Sequence, residues 1–425
     1  MIGDQSQGQI EPTAERRVVV TGYGCLTPLG AGAPASWSAL ISGQTARCPV
    51  SVIPVQGCRV TEGAQAQIPP LVGFSRRRLS RLSRAVRLML PAVHEALAMA
   101  QLLDADGFCS QPYLETAIST TACGMEMGEH FLQSVWNNES RGRLALVAHY
   151  QAQQQILELQ RRFRFCGPSM VVANACAGGA NAIGHAADLI RAGMADVVLC
   201  GGYDALCELV FSGFDCLQAL SPTACRPFDR GRDGLMLGEG AGFLVLEEAE
   251  HALRRGARHH AVISGYGHST DTGHLTQPDQ GGVPLEKAMR QALAMANMEA
   301  ANVGYVNAHG TATPFNDQAE AKAFHRVFGC ESTRLSSTKA ATGHTLGAAG
   351  AIEAVFCILA LASGELPPQI NLRDPEHLVE NALVKLGEVA QLESVMSVNL
   401  GFGGSNAALI LSKQVEHAAF DPVGS

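Results

Sequence analysis

The sequence predicts an α/β fold built from helix-covered sheets. Short runs of β-branched and other apolar residues alternate along the chain with helical patterns, and glycine-rich turns separate them. Such alternation of strands and helices is typical of layered α/β architecture. Hydrophobic residues make up 47% of the 425 residues and charged residues 16%, so the chain has enough apolar material for a large core.

The first part of the chain contains five predicted strands. A polar tail of residues 1–16 precedes them, and we expect it to be flexible. The first strand is a run of three valines that ends in a glycine-containing turn at residues 21–24. In chain order, the five strands cover residues 18–20, 116–121, 171–173, 197–201 and 243–247.

The second part repeats this alternation with five further strands. They cover residues 262–266, 304–307, 334–337, 397–400 and 407–411. Each part contains a strand, a turn that carries a candidate catalytic residue, and a helix, which indicates a duplicated core. We place one half at residues 17–260 and the other at residues 261–425. The apolar run 354–362 is too short to cross a bilayer and predicts a core helix.

Composition excludes several classes of protein. A net charge of −8 argues against a general nucleic-acid binder. The 13 cysteines include no C-x-x-C pair, so we expect reduced thiols of a cytoplasmic protein and neither a disulfide framework nor a metal site. The first 15 residues lack the apolar region of a signal peptide, and we expect no membrane partner.

A candidate nucleophile lies in the segment of residues 171–180, where an apolar strand delivers Cys176 into a turn of small residues. A helical pattern follows, so the sulfur would lie at a helix N-terminus, where the dipole favours the thiolate. Small neighbours would allow backbone N–H groups to approach a carbonyl oxygen. A buried structural cysteine beside packing glycines would have a similar local sequence, so both interpretations remain open on this segment alone.

Two distant segments, residues 306–313 and 337–350, strengthen the catalytic interpretation. They place His309 and His344 among small residues just after strand-like runs. Neutral imidazoles can donate to a developing oxyanion and handle charge on a second substrate. With Cys176, the two histidines predict a Cys-His-His set that acts on thioesters.

Together with the segments 225–229, 238–242 and 401–406, these three segments resemble the β-ketoacyl-ACP synthases of the elongating type, the ketosynthase II-like condensing enzymes of fatty acid and type II polyketide synthesis. The resemblance extends over residues 18–411 and keeps the motifs in the family's order. It implies the thiolase fold, with two related halves in a layered αβαβα core. It also implies decarboxylative condensation of a cysteine-bound acyl chain with malonyl-ACP, which gives β-ketoacyl-ACP.

The resemblance assigns roles around the nucleophile. Cys176 accepts the acyl group, while His309 and His344 hold the malonyl thioester and assist its decarboxylation. Lys339 pairs with Glu353 near the active site, because a buried ammonium needs a partner. A purely structural ion pair is the alternative interpretation of this pair.

A second set of residues matches the substrate tunnel of the family. Phe402 is the gate, and its backbone N–H forms the oxyanion hole with that of Cys176. Thr311 and Thr313 match hydroxyls that bind the pantetheine arm, and Thr276 is a further candidate for that contact. Threonines in loops also form turns, and this remains the alternative.

The acyl pocket departs from the form that is usual in fatty-acid enzymes of the family. Gly124 falls about where those enzymes carry a bulkier aliphatic residue, and we assign it to the pocket with Phe214 and Phe402. With Glu126 nearby, the pocket would be wider and more polar and would suit a stiff polyketide or polyene chain. If the local alignment is shifted, Gly124 only relieves a backbone turn. Asn174 also departs from the common form, which has a threonine two residues before the cysteine.

Residues 75–87 form the dense basic segment of an otherwise acidic chain, with six arginines. Carrier proteins are acidic, so electrostatic steering to Arg76, Arg77 and Arg81 would promote docking. A solvated helix face or internal ion pairs are the alternative. Some relatives carry an arginine where this chain has Gln218.

Two other functions are less consistent with these residues. A CoA-dependent thiolase places a second cysteine in the late glycine-rich loop, whereas this chain has Phe402 there and no cysteine after Cys357. A non-catalytic chain-length factor usually lacks the nucleophile that Cys176 supplies. We expect a homodimer, or a heterodimer with a chain-length-factor-like subunit. We also expect no enzyme-bound cofactor, because the substrates travel on the phosphopantetheine of acyl carrier protein; their chain length and saturation stay open.

Overall fold

The computed structural model describes residues 16–71, 74–139, 144–329 and 333–413. All ten predicted strands fall on strands of the structure, and short strands were missed. Within the described residues the strands are β1 (Val18–Thr27), β2 (Gly30–Ala31), β3 (Arg47–Pro49), β4 (Glu62–Ala64), β5 (Glu115–Ser119), β6 (Ser169–Val172), β7 (Val197–Asp204), β8 (Gly240–Glu248), β9 (Ala261–Thr270), β10 (Tyr305–Asn307), β11 (Arg334–Ser336), β12 (Ser394–Gly401) and β13 (Ser405–Ser412).

Helices lie between many of these strands. In the described ranges they are α1 (Ala33–Ile41), α2 (Arg76–Leu79), α3 (Arg84–Met99), α4 (Met125–Trp136), α5 (Ala145–Tyr150), α6 (Ala152–Phe163), α7 (Gly178–Arg191), α8 (Glu208–Cys216), α9 (Ala249–Arg254), α10 (Val283–Met295), α11 (Pro314–Phe328), α12 (Lys339–Thr342) and α13 (Ala349–Ser363). Turns of 3₁₀ helix precede α7 and α13.

The first strand does not end at the predicted turn. β1 continues through Gly22 and Gly24 to Thr27. A Cβ on Gly22 would lie 2.2 Å from the Ala96 carbonyl oxygen, and one on Gly24 would lie 2.3 Å from that of Ala92. These glycines therefore let helix α3 lie directly on the strand, and they mark a close backbone approach instead of a turn.

The two halves of the chain have the same strand topology. The large sheet runs β11-β10-β12-β13-β9-β1-β8-β7-β5-β6, with β2 paired to β1. In the first half β5 is parallel to β6 and β7, and β8 is antiparallel to β7 and β1. In the second half β10, β11, β12, β13 and β9 repeat this order and these directions. The α/β fold with two related halves is therefore confirmed, whereas the boundary at residue 260 stays a prediction.

Five layers follow from the way the helices pack. α3 covers β1 and β8 on one outside, and α10 covers β9 and β13 on the other. Between them, α7 and α13 each contact strands of both halves. A Cβ on Gly350 of α13 would lie 2.6 Å from the backbone nitrogen of Ala180 in α7, so the two central helices touch backbone to backbone.

The apolar helical stretch that ends in α13 belongs to this core. The apolar segment Leu346–Ser363 is longer than the run of residues 354–362 that was judged too short to cross a bilayer. By length and composition alone, this longer segment could cross a membrane. In the structure 83% of it is buried inside the protein. The core-helix interpretation is therefore confirmed.

Candidate active site

Cys176 lies in a strained turn between strand β6 and helix α7. The preceding residue, Ala175, has a φ of +55°, which is uncommon for a residue with a Cβ. One turn of 3₁₀ helix, Ala175–Ala177, leads into α7 at Gly178. Strain of this kind is concentrated at functional sites, where the surrounding structure holds a side chain in one direction.

The environment of the sulfur favours the thiol. Burial raises the pKa of Cys176 to about 12, whereas Lys339 and the backbone N–H groups of Phe402 and Cys176 itself act to lower this pKa. The sequence placed the sulfur at a helix N-terminus and predicted a thiolate. Desolvation outweighs that effect, so Cys176 must lose its proton as it is acylated.

His309 and His344 lie side by side. Their ring centroids are 5.2 Å apart and the rings are almost perpendicular. Burial, followed by the charge of Lys339, holds both histidine pKa values well below the usual range. Both imidazoles are therefore neutral, and their Nδ1 atoms have no hydrogen-bond partner among the described residues.

A buried carboxylate that the sequence gave no reason to single out holds the His309 loop. Glu320 accepts the backbone N–H groups of His309 at 2.8 Å and Gly310 at 2.7 Å. Burial, followed by the nearby Asp317, raises the pKa of Glu320 to about 8. Two acids three residues apart on one helix, here Asp317 and Glu320, occur on exposed helix faces as well as on buried ones, so this spacing does not single out Glu320 in the sequence.

Lys339 and Glu353 form a fully buried ion pair, with 2.5 Å between Nζ and Oε1. The amide of Asn399 donates to the other carboxylate oxygen of Glu353 at 2.6 Å. Since the carboxylate is held by two donors, the buried charge has the partners that it needs. The same ammonium acts electrostatically on the thiol and on both histidines.

Phe402 lies in the turn between β12 and β13. The residue is 40% exposed, and its ring stacks on Phe214 with 5.5 Å between centroids. Gly403 and Gly404 both have a φ of +83°, which favours glycine. A Cβ on Gly401 would lie 3.2 Å from the Cys176 nitrogen, so this turn packs directly on the cysteine turn.

One cavity of about 490 Å³ brings most of the predicted residues together. The predicted residues on its lining are Cys176, Phe214, Thr276, His309, Thr311, Thr313, His344 and Phe402. The hydroxyls of Thr311 and Thr313 are 2.9 Å apart. Lys339 and Glu353 lie beside this cavity and do not line it. In the described part of the chain, no group of three His, Cys, Asp or Glu side chains could hold a metal ion.

Gly124 does not line this cavity, and its assignment to the acyl pocket stays a prediction. A Cβ on it would lie 2.5 Å from the His149 carbonyl oxygen and 2.4 Å from the Gln155 amide nitrogen. Glu126 does not add polarity to the pocket either, since its carboxylate accepts the backbone N–H of Arg84 at the start of α3. Gly124 is therefore closely packed against His149 and Gln155, which is a different role from relief of a backbone turn.

Gly124→Ile should reduce stability without changing chain-length preference. The new side chain would meet backbone atoms of His149 and Tyr150 at the end of α5, and overpacking of this kind costs about 1–3 kcal/mol. Thermal unfolding, together with condensation rates on a panel of acyl-carrier substrates normalised to folded enzyme, measures this. A selective loss with long acyl chains would support the pocket interpretation. Gly213→Ala is the control, because a Cβ there meets no atom within 4 Å.

The basic segment divides into two parts. Arg84 belongs to the interior and forms an ion pair with the buried Glu239. Arg77 and Arg81 are exposed and line a second cavity with Arg78 and Arg161. In the described residues neither Arg77 nor Arg81 forms an ion pair, and the side chain of Arg76 lies outside the described part. The exposed arginines leave a positive surface that the active-site cavity does not include.

Comparisons with known proteins agree with this geometry. The model of the β-ketoacyl synthase N-terminal domain matches residues 15–252, and that of the C-terminal domain matches residues 260–373. The chain is 36% identical to 3-oxoacyl-[acyl-carrier-protein] synthase 2 of Rhizobium meliloti (strain 1021), over 95% of this chain and 100% of the relative. It is 36% identical to the oxytetracycline polyketide putative beta-ketoacyl synthase 1 of Streptomyces rimosus, over 94% and 97%. The ishigamide ketosynthase/chain length factor structure superposes with a TM-score of 0.87 at 32% identity, over 95% of this chain and 100% of that chain.

Proposed function

The chain belongs to the β-ketoacyl synthase family, and we propose that it condenses an acyl group on Cys176 with a malonyl group on an acyl carrier protein, with loss of carbon dioxide. The product is a β-ketoacyl group on the carrier. The observation that carries this proposal is the single cavity that Cys176, His309 and His344 share with Phe402.

The first half-reaction is transfer of the acyl group. The Cys176 sulfur attacks the thioester carbonyl of the acyl carrier, and the carrier thiol leaves. Backbone N–H groups of Cys176 and Phe402 donate to the oxyanion in the tetrahedral intermediate. The thiol proton of Cys176 goes to the departing pantetheine sulfur, so no net charge remains in the buried site.

The second half-reaction uses the two histidines. Neutral His309 and His344 donate to the thioester oxygen of the malonyl group, where negative charge develops as carbon dioxide leaves. The resulting enolate carbon attacks the acyl thioester on Cys176. A carbon–carbon bond forms, the carbon–sulfur bond breaks, and the sulfur takes up a proton. Thr311 and Thr313 bind the pantetheine arm in the cavity, and Thr276, which also lines the cavity, contributes to this contact.

Lys339 and Glu353 organise this site electrostatically. The ammonium lowers the pKa of the Cys176 thiol and holds those of the two histidines down, so one charge serves both half-reactions. Because both members are buried, a change to either one leaves an unpaired charge inside the protein.

The partners follow from this chemistry. Acyl carrier protein delivers both substrates on phosphopantetheine, and we propose no other cofactor. The enzyme acts as a homodimer or with a chain-length-factor-like subunit, which is the combination named in the ishigamide structure. The net charge of −8 and the buried position of α13 support a cytoplasmic enzyme without nucleic-acid or membrane partners.

The pathway is fatty acid or polyketide synthesis, since a relative named 3-oxoacyl-[acyl-carrier-protein] synthase 2 and one named for a polyketide are equally similar in sequence. Intact-mass spectrometry after incubation with a panel of acyl carriers tests the proposal. We expect one acyl adduct on the enzyme, and its discharge as β-ketoacyl carrier when malonyl carrier is added. If neither the isolated chain nor its complex with a chain-length factor gains acyl mass, the chain is better explained as a non-catalytic subunit. Thioester cleavage by CoA without malonyl carrier would favour a thiolase.

Charge reversal at Arg77 and Arg81 should weaken use of carrier-bound substrates. An acidic carrier approaches through long-range attraction, so Arg77→Glu/Arg81→Glu should raise the apparent KM about tenfold at low salt. The effect should shrink at 1 M salt, where the Debye length is about 3 Å. Small acyl-thioester mimics without a carrier should react almost unchanged.

The exposed pair Arg254→Glu/Lys287→Glu is the matched control, because it changes the net charge equally outside the basic segment. An equal rise of KM in both double variants would show a general charge effect. Equal damage with carrier-bound and carrier-free substrates would show that the basic segment is structural.

A further inference from the structure

The two N–H donors that face the Cys176 sulfur come from opposite halves of the chain. One belongs to Cys176 at the start of α7, and the other belongs to Phe402 between β12 and β13. An oxyanion hole works only when its donors are fixed at the spacing that the transition state needs. The structure must therefore contain contacts that keep these two turns at a fixed distance from each other.

Asn174 supplies such a connection. It lies two residues before Cys176, and its Nδ2 donates to the Ser405 hydroxyl oxygen at 3.2 Å. Ser405 begins β13, three residues after Phe402. The same hydroxyl oxygen accepts Nδ2 of Asn181 in α7 at 3.2 Å, and the Tyr266 hydroxyl donates to Asn181 Oδ1 at 2.7 Å. A chain of hydrogen bonds thus joins both ends of the cysteine turn to the strand that follows Phe402.

The packing leaves little freedom for any other arrangement. A Cβ on Gly401 would lie 3.0 Å from the Asn174 carbonyl oxygen, so the Phe402 turn rests on the Asn174 backbone. A Cβ on Gly178 would lie 3.2 Å from Asn174 Oδ1 and 2.1 Å from the Ser119 hydroxyl. The Asn174 amide therefore occupies space that a side chain at residue 178 would need, and Asn174 and Gly178 form a matched pair.

We propose that Asn174 is a positioning residue that, through Ser405, fixes the spacing of the Cys176 and Phe402 donors of the oxyanion hole. This inference rests on the proposed function of the site. It explains why the position two residues before the nucleophile carries an amide, which is long enough to reach the opposite half. The histidines lie on other elements, so this connection serves acylation of Cys176 and not decarboxylation of the malonyl group.

Asn174→Ala and Ser405→Ala should each slow acylation of Cys176 by about tenfold to a hundredfold, less than the loss of an oxyanion donor itself costs. Pre-steady-state intact-mass measurements with an acyl carrier give this rate. Decarboxylation of malonyl carrier should stay within about twofold when measured in a Cys176→Ala background. Ser405→Thr keeps the hydroxyl and should acylate at close to the wild-type rate.

The double variant Asn174→Ala/Ser405→Ala should be no slower than either single variant, because both remove the same connection. Acylation at the wild-type rate in both single variants would overturn the inference, and so would an equal loss in both partial reactions. Should Asn174→Ala fail to fold, Ser405→Ala and Ser405→Thr carry the test alone. A wild-type enzyme that gains no acyl mass would instead overturn the proposed function, and these outcomes are distinguishable in one experiment.

Discussion

Replacement of Cys176 by alanine is expected to abolish acyl transfer and condensation while leaving the protein folded. The sulfur is the atom that carries the acyl group between the two half-reactions, and no neighbouring group can replace it. Loss of a covalent nucleophile costs on the order of 10⁶-fold in other enzymes. Truncation of one small buried side chain should cost only about 1 kcal/mol of stability. Intact mass after incubation with acyl carrier, beside thermal unfolding, measures both effects.

Cys200→Ala is the matched control for this prediction. Cys200 is a fully buried cysteine in the strand β7, and burial raises its pKa as it raises that of Cys176. It does not line the active-site cavity, so its replacement should leave acylation unchanged. The Cys176→Ala variant should still decarboxylate malonyl carrier, because that step uses the histidines. An acyl adduct on Cys176→Ala would show that another residue is the nucleophile.

Much of the fold follows from local sequence. Several predicted strands, such as residues 18–20 and 243–247, are compact apolar runs that can be recognised without knowing their neighbours in the fold. The end of strand β1 is the instructive exception, because Gly22 and Gly24 were read as a turn. Their role depends on Ala92 and Ala96 of α3, some 70 residues away along the chain. In the local sequence, a glycine that ends a strand cannot be distinguished from a glycine that allows a helix to pack closely on the strand.

Sequence motifs predicted those residues of the site that lie within short, recognisable segments. Cys176, His309 and His344 were found because short segments of small residues surround each of them. The close packing of Gly124 could not be predicted, because its neighbours, His149 and Gln155, are brought there by tertiary packing. Glu320 was missed for a related reason: besides the Asn316 amide, its partners are the backbone N–H groups of His309 and Gly310, and such contacts cannot be recognised in the sequence.

The ionisation state of Cys176 could not be predicted from the sequence either. The sequence indicates that Cys176 lies at a helix N-terminus, but it does not show how deeply the sulfur is buried. Burial of the sulfur raises its pKa, whereas the charge of Lys339 and the backbone N–H of Phe402, both from distant segments, lower it. The balance of these effects therefore emerges only when both halves are assembled.

Replacement of His309 or His344 by alanine is expected to separate the two half-reactions. Each neutral imidazole supplies one donor to the malonyl thioester oxygen, and loss of one positioned donor costs about 10²–10³-fold in rate. Acylation of Cys176 should change much less, because its oxyanion donors are the backbone N–H groups of Cys176 and Phe402. Release of carbon dioxide from malonyl carrier and the rate of acyl-adduct formation measure the two steps.

His260→Ala is the matched control for the histidine variants, since burial lowers the pKa of His260 too, yet it packs on Tyr23 away from the cavity. His309→Asn or His344→Asn should keep more decarboxylation than alanine, because the amide retains a donor. Near wild-type condensation by both alanine variants would rule out the Cys-His-His assignment. The two rings lie only 5.2 Å apart, so loss of one could disturb the position of the other. Equal loss of acylation and decarboxylation would therefore mean that the histidines chiefly maintain the shape of the cavity.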